Sequence, residues 1–242
     1  MTLAEILLSL FPQGHQVVLE HGLISGRGTL PQAGPVAVIG VDGRTAVGID
    51  EAARLSRQVL DIARDGGKTP ILVLVDSDSQ RMSKRDELLG LNEFLAHLAK
   101  CLIHADLQGH PTIGLLYGHT AAGAFIATAL ATRTLLALPG ADPAVMDLPS
   151  MARVTKLSIE ILQEKAKSTP VFAPGLDNLA QTGAVAAVLD PRRPLAEQLD
   201  AVLLAEPAVH VDRRDRLGQD RRGRPQAVDI AARVYELARA SA

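Results

Sequence analysis

The chain has 242 residues, 47% of them hydrophobic and 2% aromatic, so it fits one domain whose core is built from Ala, Val, Leu and Ile. Its formal net charge of −2, from 25 basic and 27 acidic residues, argues against a protein that binds nucleic acid or a membrane surface. No run approaches the roughly 18 apolar residues that a membrane-spanning helix needs.

The first part of the chain predicts a helix, a strand pair, a buried strand and a second helix. Apolar residues recur at helical spacing in the second helix, with Asp50 as its expected N-cap and Gly66-Gly67 as its stop. In chain order the segments are LAEILLSLF, QVVLEHGLISGRGTL, PVAVIGVDG with a turn at Asp42-Gly43, and GIDEAARLSRQVLDIARDGG.

Buried strands alternate with helices in the rest of the chain. TPILVLVD and PTIGLLYG are nearly continuous apolar runs, which are typical of parallel strands covered on both faces. Further strands are predicted in TLLALP and AVMDL. The predicted helices are DELLGLNEFLAHLAKCLIHADLQG, AAGAFIATALATR, SMARVTKLSIEILQEKA, GLDNLAQTG, LAEQLDAVLLAE and QAVDIAARVYELARA. This alternation predicts βαβ crossovers and a parallel sheet.

Three common site motifs are missing from the sequence. The Gly-x-Gly-x-x-Gly turn of a Rossmann fold is absent, and so is the Gly-Lys-Ser/Thr end of a phosphate-binding P-loop. Gly-x-Ser-x-Gly, the nucleophile turn of many hydrolases, is absent as well. The sequence therefore gives no support for a Rossmann-type, P-loop or Gly-x-Ser-x-Gly hydrolase site.

The order of four segments resembles the carboxyltransferase branch of the crotonase superfamily, over roughly residues 17–190. Within that branch, DSDSQRMSKRDELLG and GHTAAGAF are similar to the gamma subunit of biotin-independent malonate decarboxylase. The resemblance implies an α/β, crotonase-like (ClpP/crotonase) fold, in which stacked parallel β-sheets are flanked by helices and residues 1–242 form one domain. The four segments are GVDGRTAVGIDEAARLSRQVLDIA, PILVLVDSDSQRMSKRDELLG, PTIGLLYGHTAAGAFIA and TLLALPGADPAVMDLPSMARV.

The resemblance also implies an activity, the decarboxylation of a malonyl thioester on an acyl carrier protein to an acetyl thioester and CO2. The electron pair left on the α-carbon delocalises onto the thioester oxygen, where preorganised N–H donors stabilise it. Losing one such donor typically costs ~3–4 kcal/mol. A small-residue turn that opens a helix supplies such donors, so we predict catalytic N–H groups at Ala122, Gly123 and Ala124. Gly118 is expected to give the turn its conformational freedom and to contact substrate.

The segment after the strand-end Asp76 departs from the family. Relatives often have a Gly/Pro-rich loop there, but this chain has SDSQRMS, so a second backbone oxyanion hole at Ser77–Ser83 is in doubt. The hydroxyls of Ser79 and Ser83 and the amide of Gln80 are candidate substrate contacts. The alternative is a solvated loop that caps the next helix.

His119 is the candidate proton donor. It stands, with Thr120, where relatives have Glu and Gly. Its ring is the side chain in the candidate site that exchanges protons near neutral pH, and the α-carbon needs a proton after CO2 leaves. The alternative is that the ring has a structural role and that water supplies the proton.

Other reactive residues have simpler interpretations. Cys101, the single cysteine, is predicted to be a buried thiol, and no disulfide or cysteine metal cluster is possible within the chain. His97 and His104 are predicted to be packing or interface residues, and no metal site is predicted. The Arg-rich segment 213–224 is predicted to be a solvated loop before the last helix, or else a docking surface for an acidic carrier or for phosphate.

The family resemblance implies partners. They are a homologous beta subunit that shares the active site, an acyl carrier protein subunit and an acyl carrier protein transferase subunit. No cofactor is expected on this chain, since the thioester sits on the carrier's prosthetic group and the chain has no biotin attachment motif. A basic leader is absent from the start, so a cytoplasmic location is predicted. Two alternatives stay open: a carboxyltransferase alpha-type subunit of a biotin-dependent acyl-CoA carboxylase or decarboxylase, and a noncatalytic scaffold that completes its partner's site.

Overall fold

The computed structural model describes residues 1–205 and 212–240. They form two compact units. Unit 1 comprises the described residues of Met1–Val145 and Ala187–Val211, and unit 2 those of Met146–Ala186 and Asp212–Ala242. The single domain expected over residues 1–242 stays a prediction.

The strands belong to unit 1 and form two sheets. In chain order they are β1 (Val18–Glu20), β2 (Leu23–Leu30), β3 (Gly34–Val47), β4 (Ile71–Gln80), β5 (Thr112–Leu116), β6 (His119–Ala121), β7 (Thr134–Ala137), β8 (Asp142–Ala144) and β9 (Ala187–Val188). The large sheet has the order β1-β2-β3-β4-β5-β7-β9, and β6 pairs with β8 in a small parallel sheet. The pairs from β3 to β9 are parallel, whereas β1, β2 and β3 pair antiparallel. The expected α/β architecture is therefore present.

Helices complete both units. In chain order they are α1 (Leu3–Leu10), α2 (Ile49–Arg64), α3 (Lys84–Leu88), α4 (Leu91–Leu107), α5 (Ala122–Ala127), α6 (Leu148–Thr155), α7 (Ile159–Ala166), α8 (Leu176–Gln181), α9 (Leu195–Ala205), α10 (Arg214–Asp220) and α11 (Pro225–Ala240), with a short 3₁₀ turn at Pro170–Phe172. Helices α6, α7, α8, α10 and α11 lie in unit 2, and the others lie in unit 1. Within residues 1–205 and 212–240, no helix is long and apolar enough to cross a membrane.

The central strands of unit 1 are buried along their length, as their apolar runs predict. Residues Val36–Val41 of β3, Ile71–Val75 of β4 and all of β5 are buried. Helix α2 packs beside α4 and buries one apolar stripe, which includes Leu55 and Val59. The core therefore consists of aliphatic strands covered by helices, and the carboxyl ends of β3, β4 and β5 lie at one edge of the sheet.

Two predicted boundaries near β3 are wrong. The strand does not end at the Asp42-Gly43 turn, because Gly43 and Arg44 adopt left-handed conformations (φ +65° and +53°) and form a bulge before the strand resumes at Thr45. Helix α2 has Gly48 as its N-cap instead of Asp50, and the Glu51 carboxylate accepts the Gly48 N–H at 2.9 Å.

Other predicted segments are divided or shortened. The predicted helix that starts at Asp86 is split into α3 and α4 by Gly90, which has a left-handed φ of +87°. Lys156, with a φ of +62°, separates α6 from α7 in the same way. Helix α5 ends at Ala127, and the Thr128 hydroxyl donates to the Ala124 carbonyl at 2.7 Å, a bond that competes with the helical pattern.

The remaining differences lie at residues 142–148 and in the Arg-rich segment. The strand predicted in AVMDL, residues 144–148, is wrong: β8 shares only Ala144 with it, and the Asp147 carboxylate caps α6 by accepting the Ser150 N–H at 2.8 Å. The Arg-rich segment is not a loop, since it contains helix α10. His210 and Val211, which precede the Arg-rich segment in the sequence, lie outside the described residues.

Arg221 explains why the Arg-rich segment is ordered in unit 2. Its guanidinium donates to the carbonyls of Ala180, Val185 and Ala186 at 2.6–2.7 Å. These bonds satisfy carbonyls at the end of α8 and in the chain that follows it, so one arginine joins three backbone groups. The prediction of a solvated loop is therefore wrong for Arg221, whose guanidinium is bonded to the backbone.

A buried ion pair lies at the opposite end of β5 from its carboxyl end. Arg133 Nε lies 2.8 Å from Asp106 Oδ1, and the two side chains are 8% and 2% exposed. Thr112 joins them, because its hydroxyl accepts the Arg133 N–H at 2.9 Å and its own N–H donates to Asp106 Oδ1 at 3.4 Å. The pair therefore holds the first residue of β5 beside the end of α4 and the start of β7.

Removing one member of this pair is expected to destabilise the chain strongly. Arg133→Met should lower the free energy of unfolding by about 3–5 kcal/mol, because it leaves a buried carboxylate without its cation. The double variant Asp106→Leu/Arg133→Met should recover part of that loss. Urea denaturation measures both, and the exposed pair Arg57–Asp61 supplies the control, since Arg57→Met should cost less than about 1 kcal/mol. If Arg133→Met lowers the free energy of unfolding as little as Arg57→Met does, the Arg133–Asp106 pair does not have the stabilising role assigned to it.

Candidate functional site

The predicted site residues before and after β5 come together in unit 1. Strand β4 ends at Gln80, and β5 leads through Tyr117 and Gly118 into β6, which is followed at once by α5. The carboxyl ends of parallel strands are where α/β folds usually bind ligands. The candidate site therefore lies where β4, β6 and α5 meet.

Asp76 fixes the turn between β5 and β6. Its Oδ1 accepts the His119 N–H at 3.0 Å. A Cβ at Gly118 would collide with this carboxylate, so glycine is required there for space. The expectation that Gly118 supplies conformational freedom is wrong, because its φ is not in the left-handed region. Glycine at this position allows the close approach of an acidic side chain.

The small-residue turn has an unusual backbone. Ala122 adopts a left-handed φ of +49°, which costs a residue with a Cβ roughly 1–2 kcal/mol. Consecutive N–H groups around a left-handed residue point toward a common side and form a concavity for an anionic or carbonyl oxygen. Helix α5 has six residues, so the helix-dipole contribution expected from the sequence is small.

One of the predicted donors already has an acceptor. The Gly123 N–H donates to Gln80 Oε1 at 2.8 Å. The carboxamide oxygen of Gln80 therefore lies where the sequence analysis expects a thioester oxygen. Gln80 and Gly123, 43 residues apart in the chain, are thus brought into direct contact.

His119 forms a pair with Asp142, a residue that the sequence analysis missed. The register of β6 and β8 places them directly opposite each other, and His119 Nδ1 lies 3.0 Å from Asp142 Oδ2. The His119 side chain is 21% exposed and that of Asp142 is 69% exposed. The carboxylate therefore orients the ring through Nδ1, and Nε2 is the ring nitrogen outside this contact. Strands of three residues each gave no sequence signal for this pairing.

The segment Ser77–Ser83 is a strand followed by a helix cap. Strand β4 continues to Gln80, and the buried hydroxyls of Ser77 and Thr120 are hydrogen-bonded at 2.8 Å. The Ser83 hydroxyl caps α3 by accepting the Asp86 N–H at 3.1 Å, and the Ser79 hydroxyl donates to the Gln80 carbonyl at 3.2 Å. Both serine hydroxyls are therefore engaged locally, and their contact with substrate stays a prediction.

Backbone N–H groups of this segment are also engaged. Ser79 N–H donates to Asp78 Oδ1 at 2.9 Å, and Arg81 N–H donates to the Val47 carbonyl at 3.0 Å. The Arg81 guanidinium lies 2.6 Å from a Glu51 oxygen at the start of α2. The segment is thus anchored without glycines, and the Ser79 and Arg81 N–H groups already have acceptors within the chain.

The buried Tyr117 pairs with the half-buried Asp42 next to the site, a contact that the sequence pattern does not reveal. The Tyr117 phenol donates to Asp42 Oδ1 at 2.6 Å. Burial, followed by this bond and the nearby charges of Asp42 and Asp76, raises the pKa of Tyr117 well above its usual value. The phenol therefore stays protonated and holds the carboxyl ends of β3 and β5 together. The β3 bulge, invisible in the sequence, brings Asp42 into reach.

Comparison with known proteins identifies the family. Residues 43–238 match the family model MdcE, described as malonate decarboxylase gamma subunit. The chain belongs to the malonate decarboxylase gamma subunit family.

A relative in Malonomonas rubra, the malonyl-S-ACP:biotin-protein carboxyltransferase MADD, is 32% identical over 160 residues. The match covers 62% of this chain and 53% of MADD, so it spans about half of the relative's length. The resemblance to the gamma subunit family found in the sequence is thus confirmed.

Solved structures agree with the family. A Pseudomonas malonate decarboxylase hetero-tetramer, in complex with coenzyme A, has a chain that superposes with a TM-score of 0.74 at 25% identity over 98% of both chains. The Pseudomonas MdcD-MdcE hetero-dimer gives 0.72 at 26% identity, over 98% of this chain and 99% of the other. Transcarboxylase 12S gives 0.67 at 18% identity over 83% of this chain and 39% of the other, which shows the fold alone. The expected α/β, crotonase-like fold is confirmed.

The other reactive residues of this gamma subunit family member lie away from these contacts. Cys101 is buried, as predicted, and burial raises the pKa of its thiol despite a hydrogen bond with Ser56. His97 and His104 are exposed on α4, and His97 Nε2 lies 3.6 Å from Cys101 Sγ, so the predicted packing role holds for His97 in part. In the described part of the chain, no three His, Cys, Asp or Glu side chains are placed to hold a metal ion.

The left-handed conformation of Ala122 makes a stability prediction. Ala122→Gly should leave the free energy of unfolding unchanged or raise it by up to about 1 kcal/mol, because relief of the backbone strain outweighs the greater freedom of glycine in the unfolded chain. Ala127→Gly, in the helical and buried part of α5, is the control and should lower it by at least about 1 kcal/mol. Thermal or urea unfolding measures both. Equal losses in the two variants would show that Ala122 is not strained.

Proposed function

We propose that this chain, together with a homologous beta subunit, decarboxylates a malonyl thioester carried on an acyl carrier protein. The observation that carries the proposal is the Gly123 N–H, which lies in a strained small-residue turn and already holds a carbonyl-type oxygen at 2.8 Å. A thioester oxygen presents the same acceptor chemistry. The family and the name of the Malonomonas relative support a malonyl thioester as the substrate class.

Backbone N–H groups would stabilise the enolate. When the bond between the α-carbon and the carboxylate breaks, CO2 leaves and its bonding electrons stay on the α-carbon, from which they delocalise onto the thioester oxygen. The N–H groups of Ala122, Gly123 and Ala124 are the proposed donors to that oxygen. A donor placed in advance typically contributes ~3–4 kcal/mol to such a transition state.

His119 would complete the reaction by protonating the α-carbon. Its Nδ1 is paired with Asp142 at 3.0 Å, so the proton would leave from Nε2 and be restored from water. Asp142 is a positioning residue in this proposal, because it acts through the orientation of the ring. The bond from the Asp76 carboxylate to the His119 N–H fixes the backbone that carries the ring.

Further residues and partners belong to the same proposal. Gly118, Ser79, Gln80 and Ser83 are the proposed substrate-contact residues beside the donors. The thioester would enter on the prosthetic group of an acyl carrier protein subunit, an acyl carrier protein transferase subunit would load it, and this chain would bind no cofactor of its own. The Arg-rich segment of unit 2 is the proposed docking surface for the acidic carrier. The cytoplasmic location stays a prediction of the sequence.

A second candidate is transfer of the carboxyl group to biotin. The name of MADD, a malonyl-S-ACP:biotin-protein carboxyltransferase, favours it. The same enolate would form, but the carboxyl group would pass to a biotin carried by another chain. CO2 release that proceeds in the presence of avidin supports the decarboxylase, whereas avidin-sensitive transfer supports the carboxyltransferase.

The first functional prediction concerns the partner. The isolated chain is expected to be folded, to associate with its homologous beta subunit, and to release negligible CO2 from a malonyl thioester when it is alone. The measurement is CO2 release by the chain, by the partner and by their complex. Rapid decarboxylation by the isolated chain would refute the shared site, and full activity of the partner alone would leave this chain as a scaffold.

The second functional prediction separates proton donor from bystander. In the complex, His119→Ala should lower turnover at saturating substrate by at least ~10-fold with little change in affinity, because a positioned acid typically contributes ~10²–10⁴-fold. The solvent deuterium isotope effect should change as well, since water then delivers the proton. Asp142→Asn should lower turnover less, and Asp142→Glu should restore part of it. Unaltered turnover and isotope effect in His119→Ala would assign the proton to water.

A further inference from the structure

The strongest hydrogen bond of the Gln80 side chain is with Gly123, a proposed donor to the substrate. Its Oε1 accepts the Gly123 N–H at 2.8 Å, a normal, well-formed hydrogen bond. Its Nε2 has a weaker contact, 3.7 Å from the exposed thioether sulfur of Met82. The carboxamide is therefore held mainly through its oxygen, and that oxygen uses the donor that a substrate carbonyl would need.

The space around this bond suits an acyl oxygen as well as the carboxamide. A Cβ at Gly123 would lie 3.0 Å from Leu95 Cδ1 and 3.1 Å from Gln80 Oε1, so glycine keeps the N–H open to approach. Leu95 forms an apolar wall on one side, and Gln80 forms the polar side. A carboxamide and a thioester each present a planar sp² carbonyl oxygen, so each accepts from the same N–H in a similar geometry.

Gln80 is free to leave this position without unfolding its surroundings. It is the last residue of β4, its backbone is held by pairing with Val47, and its side chain is partly exposed. An exposed side-chain end changes rotamer on the picosecond to nanosecond timescale, far faster than catalytic turnover. The backbone of the site would therefore remain in place while the carboxamide swings out.

We propose that Gln80 is an internal competitor of the substrate, whose carboxamide oxygen occupies the Gly123 N–H until the carbonyl oxygen of an acyl thioester displaces it. This inference rests on the proposed function, which places the thioester oxygen at Gly123. Each binding event then exchanges one hydrogen bond for another, and the affinity for thioester is lower than the site would give with the N–H vacant. Gln80 thus tunes substrate affinity, and it also keeps the half-buried donor satisfied between turnovers.

The exchange predicts opposite effects for two substitutions. Gln80→Leu removes the acceptor and leaves an apolar side chain that is one atom shorter, so the dissociation constant for an acyl thioester should fall about threefold to tenfold, the range of one net hydrogen bond. Gln80→Glu supplies a charged acceptor, which binds an N–H more strongly, so the dissociation constant should rise at least about threefold. A side chain that merely lined the pocket would not produce this opposed pair.

The experiment uses the full chain in complex with its beta subunit and the acetyl thioester of pantetheine as the probe. The probe is uncharged, so charge repulsion does not account for a weaker complex with Gln80→Glu. With ¹⁵N-glycine labelling, the Gly123 amide reports both hydrogen exchange without ligand and the titration by the thioester. Gln198→Leu is the matched control, because Gln198 Oε1 also accepts a backbone N–H, that of Asp190 at 2.9 Å, and neither residue belongs to the site.

We expect faster exchange at Gly123 and tighter thioester binding in Gln80→Leu, the reverse in Gln80→Glu, and neither change in Gln198→Leu. Binding by the wild type without a gain in Gln80→Leu would overturn the competitor role and leave the proposed function intact. Unchanged Gly123 exchange in Gln80→Leu would overturn the contact itself. Absence of thioester binding at Gly123 in all variants would overturn both the competitor role and the proposed site.

Discussion

The site depends on one hydrogen bond, from the His119 N–H to the Asp76 carboxylate. Asp76 follows the buried run Ile71–Val75 of β4, and it reaches the backbone after β5 because Gly118 has no side chain. Once His119 is fixed there, β6 pairs with β8 and carries Ala122 and Gly123 to their positions. A carboxylate that accepts a backbone N–H makes a charge-assisted bond, roughly twice as strong as a neutral one. The Asp76 side chain thus joins the end of β4 to the turn that leads into β6 and α5.

Neighbouring polar contacts reinforce this arrangement from both sides. The Ser77 and Thr120 hydroxyls join β4 to β6 inside the core, and the Tyr117 phenol joins β5 to the bulge of β3 through Asp42. Buried polar groups of this kind are costly unless they are paired, so each pair favours one register of the strands. The polar side chains at this edge therefore hold the strands in position, and the backbone N–H groups are the proposed donors to the substrate oxygen. This division agrees with a family whose reaction needs an oxyanion site.

The family and the central strands could be read from the sequence with few errors, whereas several boundaries could not. An apolar run such as Ile71–Val75 predicts a buried strand, because such a run is stable inside a sheet that is covered on both faces. Gly90 and Lys156 interrupt apolar helical patterns that continue on both sides, and periodicity alone does not register a left-handed residue. Helix α10 escaped prediction for a related reason, since an Arg-rich, Asp-rich segment has no apolar stripe to signal a helix.

The sequence by itself determined the fold class, the family and the small-residue turn, because these depend on residue types and their order along the chain. The tertiary structure decided what each site residue contacts. The pairs Gln80–Gly123 and His119–Asp142 join residues that are 43 and 23 positions apart. Such contacts follow from strand register and the path of the turn, and both are set by packing of the whole sheet. A hydrogen bond between distant residues has no local signature, so the occupied Gly123 N–H became visible only in three dimensions.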